Sequence, residues 1–308
     1  MRNDDRSGRR QVLQAGLAAA LAAGLPAAPA MAEDRMQQRR IASGAESLPV
    51  IGCGTYIGFD VAPGSEEYRR LPDVVDALLA AGGAVFDSSP MYGRAERTTG
   101  ELLAAEGKAG QAFLATKVWT AGREAGIAQM RQSMRLLGVQ KLDLMQIHNL
   151  LDWRIHLQTL REWKAQGLIR YIGVTHYTAG AYAELEAVMR AEQLDFLQIN
   201  YSFDEREAEQ RILPLAAERG MAVLVNRPFG GGGLLGRTRG KPLPPWAAEI
   251  GATSWAQLLL KFILANPAVT CAIPGTARPE HMRDNAAAGM GLIPAASFWR
   301  EPGHAIDI

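Results

Sequence analysis

The stretch AVFDSSPMYG, residues 84–93, decides how this chain is read. A short apolar run leads into Asp87, two serines follow, and a proline-containing turn delivers Tyr92. Two later segments have the same form: FLATKV (113–118) carries Lys117 near its end, and LDLMQIH (142–148) ends in His148. Short apolar runs alternating with helical stretches build a parallel sheet, and in closed β/α barrels the functional groups sit at the C-terminal strand ends. Asp87, Tyr92, Lys117 and His148 are therefore predicted to crowd one mouth.

Outward from these segments, runs suited to strands recur at 51–55, 84–87, 112–117, 142–147, 169–174, 195–199, 221–225 and 270–273. Between them lie stretches with helical spacing. VVDALLAAGG ends in glycines that suit a helix stop, and AQMRQSMRLLG repeats apolar residues at Met130, Met134 and Leu137. The pattern predicts an α/β fold, a (β/α)8 TIM barrel, with RRIASGAESLPVI (39–51) forming an N-terminal β-hairpin beneath it. The irregular segment FGGGGLLGRTRGKPLPPW (229–246), after strand 7, is expected to be a mobile flap, because four consecutive glycines disfavour a packed helix or strand.

A chain of 308 residues with 48% apolar content is long enough for one such barrel. The formal net charge of +1 implies no basic surface and excludes nucleic acid as an expected partner. Residues 1–32 read as a separate leader: Arg9 and Arg10 precede an Ala-rich stretch, and Ala30, Met31 and Ala32 supply the small residues of a cleavage site. The Arg pair resembles a twin-arginine export signal. This predicts a signal peptide over 1–32, a single barrel domain over 33–308, contact with the export machinery and a periplasmic or otherwise exported location. The apolar stretch is too short to span a bilayer, so no stable membrane anchor is expected. Cys53 and Cys271 fall on the first and last barrel strands, which closure makes neighbours; two buried free thiols remain the favoured reading, because adjacent strands rarely present disulfide geometry.

The four mouth residues suit reduction of a carbonyl. A tyrosine with an ordinary pKa of about 10 is a poor acid at neutral pH, so a neighbouring ammonium at Lys117 is expected to lower it, by about three units if Tyr92 is to titrate near neutrality. Asp87 would keep Lys117 charged and aimed, and His148 would orient the substrate oxygen and share in proton transfer. Singly, each residue has an ordinary use: Asp87 as a helix cap, Tyr92 as a loop aromatic, Lys117 as a strand-end cation, His148 as a core histidine. Together they point to chemistry.

At this point the sequence resembles the aldo-keto reductase family across residues 45–290, through GCGTYIG, FDSSPMYGRAERTTGELL, ATKVW, KLDLMQIHN, GLIRYIGVTHY, FLQINYS and AIPGTARPEHMRDN in the family's order. The resemblance implies an Asp, Tyr, Lys and His tetrad at Asp87, Tyr92, Lys117 and His148, and a nicotinamide cofactor, NADPH in preference to NADH, with no metal. It further implies Thr55 and Tyr56 at the nicotinamide end, and Thr175, His176 and Gln198 around the carboxamide, with Asn226, Arg227, Phe229 and Gly230 along the same wall. Thr276, Arg278 and Asn285 would hold the adenosine end. His176 stands where Asn is common, Asn226 and Arg227 where a stacking aromatic often stands, Gly275 where Lys is frequent, and His281 where Arg is frequent. Tyr56, Trp119 and Trp153 are the expected substrate contacts, and Trp299 in the tail is a candidate to close over the mouth.

The implied activity is reduction of an aldehyde or ketone to an alcohol by hydride transfer from NADPH, with a small-molecule carbonyl as partner. An alternative is an exported nucleotide-binding sensor or regulatory subunit on the same barrel, since reduced nicotinamides are not expected to be replenished after export. A metal-dependent hydrolase fits poorly: the five histidines form no His-x-His pair.

Overall fold

The computed structural model describes residues 35–308. The expected leader lies outside the described residues. β1 (Gln38–Arg40) and β2 (Ser47–Pro49) form the antiparallel hairpin, with Gln38 opposite Pro49. Eight strands follow: β3 (Cys53–Gly54), β4 (Val85–Asp87), β5 (Phe113–Val118), β6 (Leu142–His148), β7 (Ile169–Thr175), β8 (Phe196–Asn200), β9 (Ala222–Asn226) and β10 (Cys271–Ala272). They pair in parallel in sequence order from β3 to β10. Parallel bridges from Ile51 to Ala272 and from Gly54 to Gly275 join the two ends into a ring, with hydrogen bonds from Gly52 N to Ala272 O (2.9 Å) and from Ala272 N to Val50 O (2.9 Å). The close approach at this seam requires Gly52, where a Cβ would meet Val85 Cβ at 2.8 Å and Ile273 Cγ2 at 3.2 Å.

Helices cover the outside: α1 (Glu66–Ala80), α2 (Ala95–Ala105), α3 (Arg123–Leu137), α4 (Trp153–Ala165), α5 (Tyr182–Ala191), α6 (Ile212–Glu218), α7 (Gly233–Thr238), α8 (Trp255–Leu264) and α9 (Pro279–Ala287). Local chemistry sets their ends. Ser65 caps α1 by accepting from Tyr68 N, Ser254 caps α8 by accepting from Gln257 N, and Gly138, at φ 71°, closes α3.

Alternate residues of each strand enter the barrel, and their character changes along it. Ile41 and Leu48 from the hairpin pack with Val85, Phe113, Leu144, Tyr171 and Phe196 in an apolar floor. Higher on the same strands the inward positions turn polar: Phe113 and Ala115 give way to Lys117 on β5, Phe196 to Gln198 on β8, and Leu224 to Asn226 on β9. A core of this kind has no pore, and its polar groups can gather only at the C-terminal mouth.

Two expectations are corrected. The glycine-rich segment is folded: Gly230, Gly231 and Gly232, at φ 56°, 67° and 97°, make a left-handed turn that only glycine adopts readily, and α7 then starts at Gly233, anchored by fully buried Leu234 and by an Arg237–Asp204 ion pair. Trp299 does not cover the mouth. Its ring packs 5.4 Å from Phe262 on α8 and 5.7 Å from Trp246, because the tail has its own aromatic cluster to bury it.

Cys53 and Cys271 are both buried free thiols on neighbouring strands. They face opposite sides of the barrel wall: Cys53 packs with the outer helix-facing cluster and Cys271 with the barrel interior. Burial pushes the Cys53 thiol up to about 12 and raises Cys271 as well. A thiol-reactive chromogenic disulfide should therefore label neither cysteine in the folded barrel and both after denaturation, without prior reductant; release of thiols only after reduction would contradict this geometry.

Candidate active site

The turn after β4 and the ends of β5 and β6 bring the four expected residues together at the mouth. Lys117 is fully buried, and its Nζ lies 2.6 Å from Asp87 Oδ2 and donates to Ser88 O at 2.8 Å. The ammonium stands 5.1 Å from the centre of the Tyr92 ring. The Tyr92 ring meets that of His148 edge-on at 6.0 Å, and Tyr56 tilts against Tyr92 at 4.9 Å.

The charge states follow from burial and partners. Burial opposes the Lys117 ammonium, but the Asp87 carboxylate and the Tyr92 oxygen outweigh it and hold the lysine above its ordinary pKa. The expected lowering of Tyr92 is not found. Burial pushes its phenol above the ordinary value, Lys117 pulls down without reversing the shift, and Asp87 adds to the rise. Lys117 spends its field on Asp87, so Tyr92 is a neutral phenol holding its proton. His148 is lowered to about 3, first by burial and then by the positive charge of Lys117, so its imidazole is neutral. Its Nδ1 pairs with Ser89 Oγ at 3.1 Å, which leaves Nε2 as the nitrogen available to an incoming oxygen.

A second layer of amides hangs on Asp87. Gln146 Nε2 and Gln198 Nε2 both donate to its Oδ1, at 3.0 and 2.8 Å. With its amino group committed there, Gln198 presents Oε1 to Thr175 Oγ1 (3.3 Å) and Asn226 Nδ2 (3.4 Å). Asn226 Nδ2 also donates to His176 O at 3.1 Å, which fixes the amide so that its Oδ1 is a buried acceptor with no partner among the described residues. His176 Nδ1 accepts from Tyr177 N (3.0 Å) and Thr178 N (3.3 Å), so Nε2 carries the ring proton as a donor.

The remaining expected residues divide. Thr55 Oγ1 donates to Ser88 Oγ (2.9 Å) and Asp87 O (3.1 Å), tying the end of β3 to the turn after β4. Arg227, at φ 50°, pairs with Glu205 at 3.6 Å and lies 6.0 Å over Tyr177, so its stacking partner is a protein ring. Phe229 is buried in the core and Gly230 turns the chain beside Asp204. Thr276 Oγ1 accepts from Arg278 N at the start of α9, Arg278 is exposed, and Asn285 is buried on the same helix. Gly58 packs against Thr276, which places this loop beside the β3–α1 loop that carries Tyr56. Trp119 stands 6.2 Å from His148. Trp153, at the start of α4, is half-buried against the core with Arg154 4.3 Å over its ring.

Ser89, Gln146 and Gln129 were not singled out from the sequence. For Gln146 a signal existed, since it lies two residues before His148 and strand side chains two apart share a face. Gln129 on α3 accepts from Trp119 N at 2.6 Å and donates to Trp119 O at 3.1 Å, but it is remote in sequence and no local signal marks it. The non-glycine residues at positive φ, Ile57, Asn149, Leu150, Asp152 and Arg227, all lie in loops after β3, β6 and β9, the strained turns of this same face. Among the described residues no three His, Cys, Asp or Glu side chains gather where a metal ion could be held.

The chain matches the model of the aldo/keto reductase family over residues 50–298. It is 31% identical over 261 residues to methylglyoxal reductase YeaE of Escherichia coli, covering 82% of this chain and 89% of that protein. It is 27% identical to aldo-keto reductase str7 of Strobilurus tenacellus, over 70% of this chain and 75% of the relative. An aldo-keto reductase from Klebsiella pneumoniae, solved in complex with NADPH, superposes with a TM-score of 0.71 at 25% identity, covering 82% and 89% of the two chains. The chain belongs to the aldo/keto reductase family.

The low pKa of His148 has a sign that can be tested. An unfolded histidine takes up a proton near its model value of 6.5, the folded one only near about 3, so between those values the unfolded state binds more protons. The stability tied to neutral His148 is fully present above 6.5 and is lost as the pH falls towards 3. The Tm of the wild type should therefore drop more steeply over this window than that of His148→Gln; parallel curves would refute the assignment.

Proposed function

We propose that this protein reduces an aldehyde or ketone to the alcohol with NADPH as hydride donor, Tyr92 supplying the proton and Lys117, Asp87 and His148 setting its field. The observation that carries the reading is the meeting at one mouth of the Asp87–Lys117 pair (2.6 Å), the Tyr92 ring 5.1 Å from that ammonium, and neutral His148 against the same ring.

The residues present fit a nicotinamide. The unpartnered acceptor Asn226 Oδ1 matches a carboxamide N–H, and Gln198 Oε1 lies beside it. Thr175 and His176 complete that wall, Thr55 and Tyr56 flank it, and Arg227, Phe229 and Gly230 border it. Thr276, Arg278 and Asn285 would take the adenosine end. A bound NADPH supplies hydride to the carbonyl carbon. The protein does the rest: His148 Nε2 orients the carbonyl oxygen, the Tyr92 O–H donates its proton to that oxygen, and the ammonium of Lys117 stabilises the phenolate left behind. Asp87 keeps Lys117 charged. Because burial holds the Tyr92 proton, reduction should stay level through neutral pH and fall only on the alkaline side of the ordinary tyrosine value.

Tyr92→Phe is expected to lower kcat/KM for simple aldehydes by roughly 10²–10⁴-fold, the range of a lost general acid, while NADPH still quenches protein fluorescence. Full activity in this variant would refute the proton assignment. Negligible turnover in the wild type with tight retention of nucleotide would favour the nucleotide-binding regulatory reading.

We also propose that residues 1–32 are a cleaved twin-arginine signal and that the barrel works after export. The support is the order of Arg9-Arg10, the Ala-rich stretch and Ala30-Met31-Ala32. The mature protein from a periplasmic fraction should begin at Glu33 by mass, and replacing Arg9 and Arg10 by lysine should retain it in the cytoplasm; an intact N-terminus in the cytoplasm of the unaltered strain would refute this.

A further inference from the structure

What His148 can do depends on which of its ring nitrogens holds the proton. A carbonyl oxygen offers lone pairs and no hydrogen, so a neutral imidazole can orient it only through an N–H. The opposite tautomer places a lone pair on Nε2. That nitrogen would repel a substrate oxygen. Beside the Tyr92 ring, which it meets edge-on at 6.0 Å, the imidazole would also compete for the proton that the phenol has to give away.

The other side of the ring decides between the two forms. Nδ1 has one partner among the described residues, Ser89 Oγ at 3.1 Å, and that hydroxyl has no second partner among them. Ser89 is buried. If Nδ1 donated, the serine hydrogen would be left in the interior with nothing to accept it. If the serine donates, its hydrogen and the Nδ1 lone pair satisfy each other, and the ring proton stands on Nε2. The second arrangement leaves no buried donor unmade.

The turn that carries this hydroxyl is pinned from several sides. Ser88 N donates to Ala115 O at 2.9 Å, Ser88 O accepts from Lys117 Nζ at 2.8 Å, and Ser88 Oγ accepts from Thr55 Oγ1 at 2.9 Å. Pro90 follows and restricts Ser89 to extended backbone. Ser89 O then accepts from Tyr92 N at 3.0 Å. The two serines thus divide the bracing of the mouth: Ser88 holds Lys117, while Ser89 holds the Tyr92 turn through its carbonyl and the imidazole through its hydroxyl. An alanine at position 89 would keep the main-chain bonds and lose the hydroxyl alone.

Resting on the reductase reading above, we propose that Ser89 is a positioning residue that sets the tautomer of His148: its hydroxyl donates to Nδ1 and so keeps the ring proton on Nε2, where the carbonyl oxygen needs a donor. Ser89 touches neither substrate nor cofactor in this role and acts through the imidazole.

The test reads the ring directly. Protein with isotopically labelled histidine nitrogens is examined by proton–nitrogen correlation at neutral pH, the His148 signals being those missing from His148→Gln. In the wild type Nδ1 should show the shift of a bare ring nitrogen and Nε2 that of a protonated one. In Ser89→Ala the two shifts should converge as both tautomers become populated, and Ser89→Thr, which keeps a hydroxyl, should separate them again. With propanal, kcat/KM should fall by roughly two- to tenfold in Ser89→Ala, the net worth of one hydrogen bond expressed as a rate ratio, and recover in Ser89→Thr. Quenching of protein fluorescence by NADPH should be the same in both variants as in the wild type. A wild-type ring proton on Nδ1, or Ser89→Ala shifts that match the wild type, overturns the proposal alone while propanal is still turned over. Absence of turnover of simple aldehydes by the wild type overturns the reductase reading, and the role given to Nε2 with it.

Discussion

The ammonium of Lys117 has no access to solvent, and the arrangement of the whole upper barrel follows from that burial. Withdrawing such a charge from water costs several kcal/mol unless an opposite charge and good hydrogen bonds replace the lost solvation. Asp87 Oδ2 and Ser88 O do so. The carboxylate then orders what lies beyond it. Its other oxygen takes the amino groups of Gln146 and Gln198, which turns Gln198 Oε1 towards Thr175 and Asn226 and leaves Asn226 Oδ1 a buried acceptor without a partner among the described residues. Removing either charge would strand the other, and removing Asp87 would also release two amides, so the donor and acceptor pattern of the mouth depends on one ion pair.

Above and below that layer the barrel is apolar, for different reasons. The floor of Phe113, Tyr171, Phe196 and the hairpin residues Ile41 and Leu48 is closed and excludes water from beneath the charges. The rim carries Trp119, Met91, Leu151 and Ile155 in the open. Between them lies the buried hydrogen-bonded layer around Asp87 and Lys117, where polar groups act in a low-dielectric setting that strengthens their fields.

Much of this was legible in the residues. The eight apolar runs matched the strands to within a few positions, since a strand buried on both faces has to be apolar at nearly every position. The four mouth residues were legible because each stands at or just beyond the end of such a run. The partners of those residues were less so. Ser89 looked like a turn serine, Gln146 was hidden inside LDLMQIH, and Gln129 reaches Trp119 from a helix whose pattern reports only its buried face. The glycine-rich segment misled because glycines were weighed as helix breakers throughout, whereas the first three make a turn and LLGRT has enough anchors to hold one helical segment. Trp299 was judged by its place in the tail, and the aromatic neighbours that bury it, Trp246 and Phe262, are distant in sequence. The direction of the Tyr92 shift depended on the balance between its burial and a cation already engaged by Asp87, a quantity that only the folded arrangement fixes.

The seam between β3 and β10 leaves the ring with an uneven hoop strength. Each of these strands spans two residues, and they meet through a few main-chain bonds, whereas β6 and β7 are registered continuously from Leu142 and Ile169 to His148 and Thr175. Local opening begins where the fewest bonds must break together. The amide protons of Gly52 and Ala272 thus mark the hinge line along which the cylinder would first breathe, with the β5–β7 staves, Lys117 and His148 among them, as the rigid half of the wall.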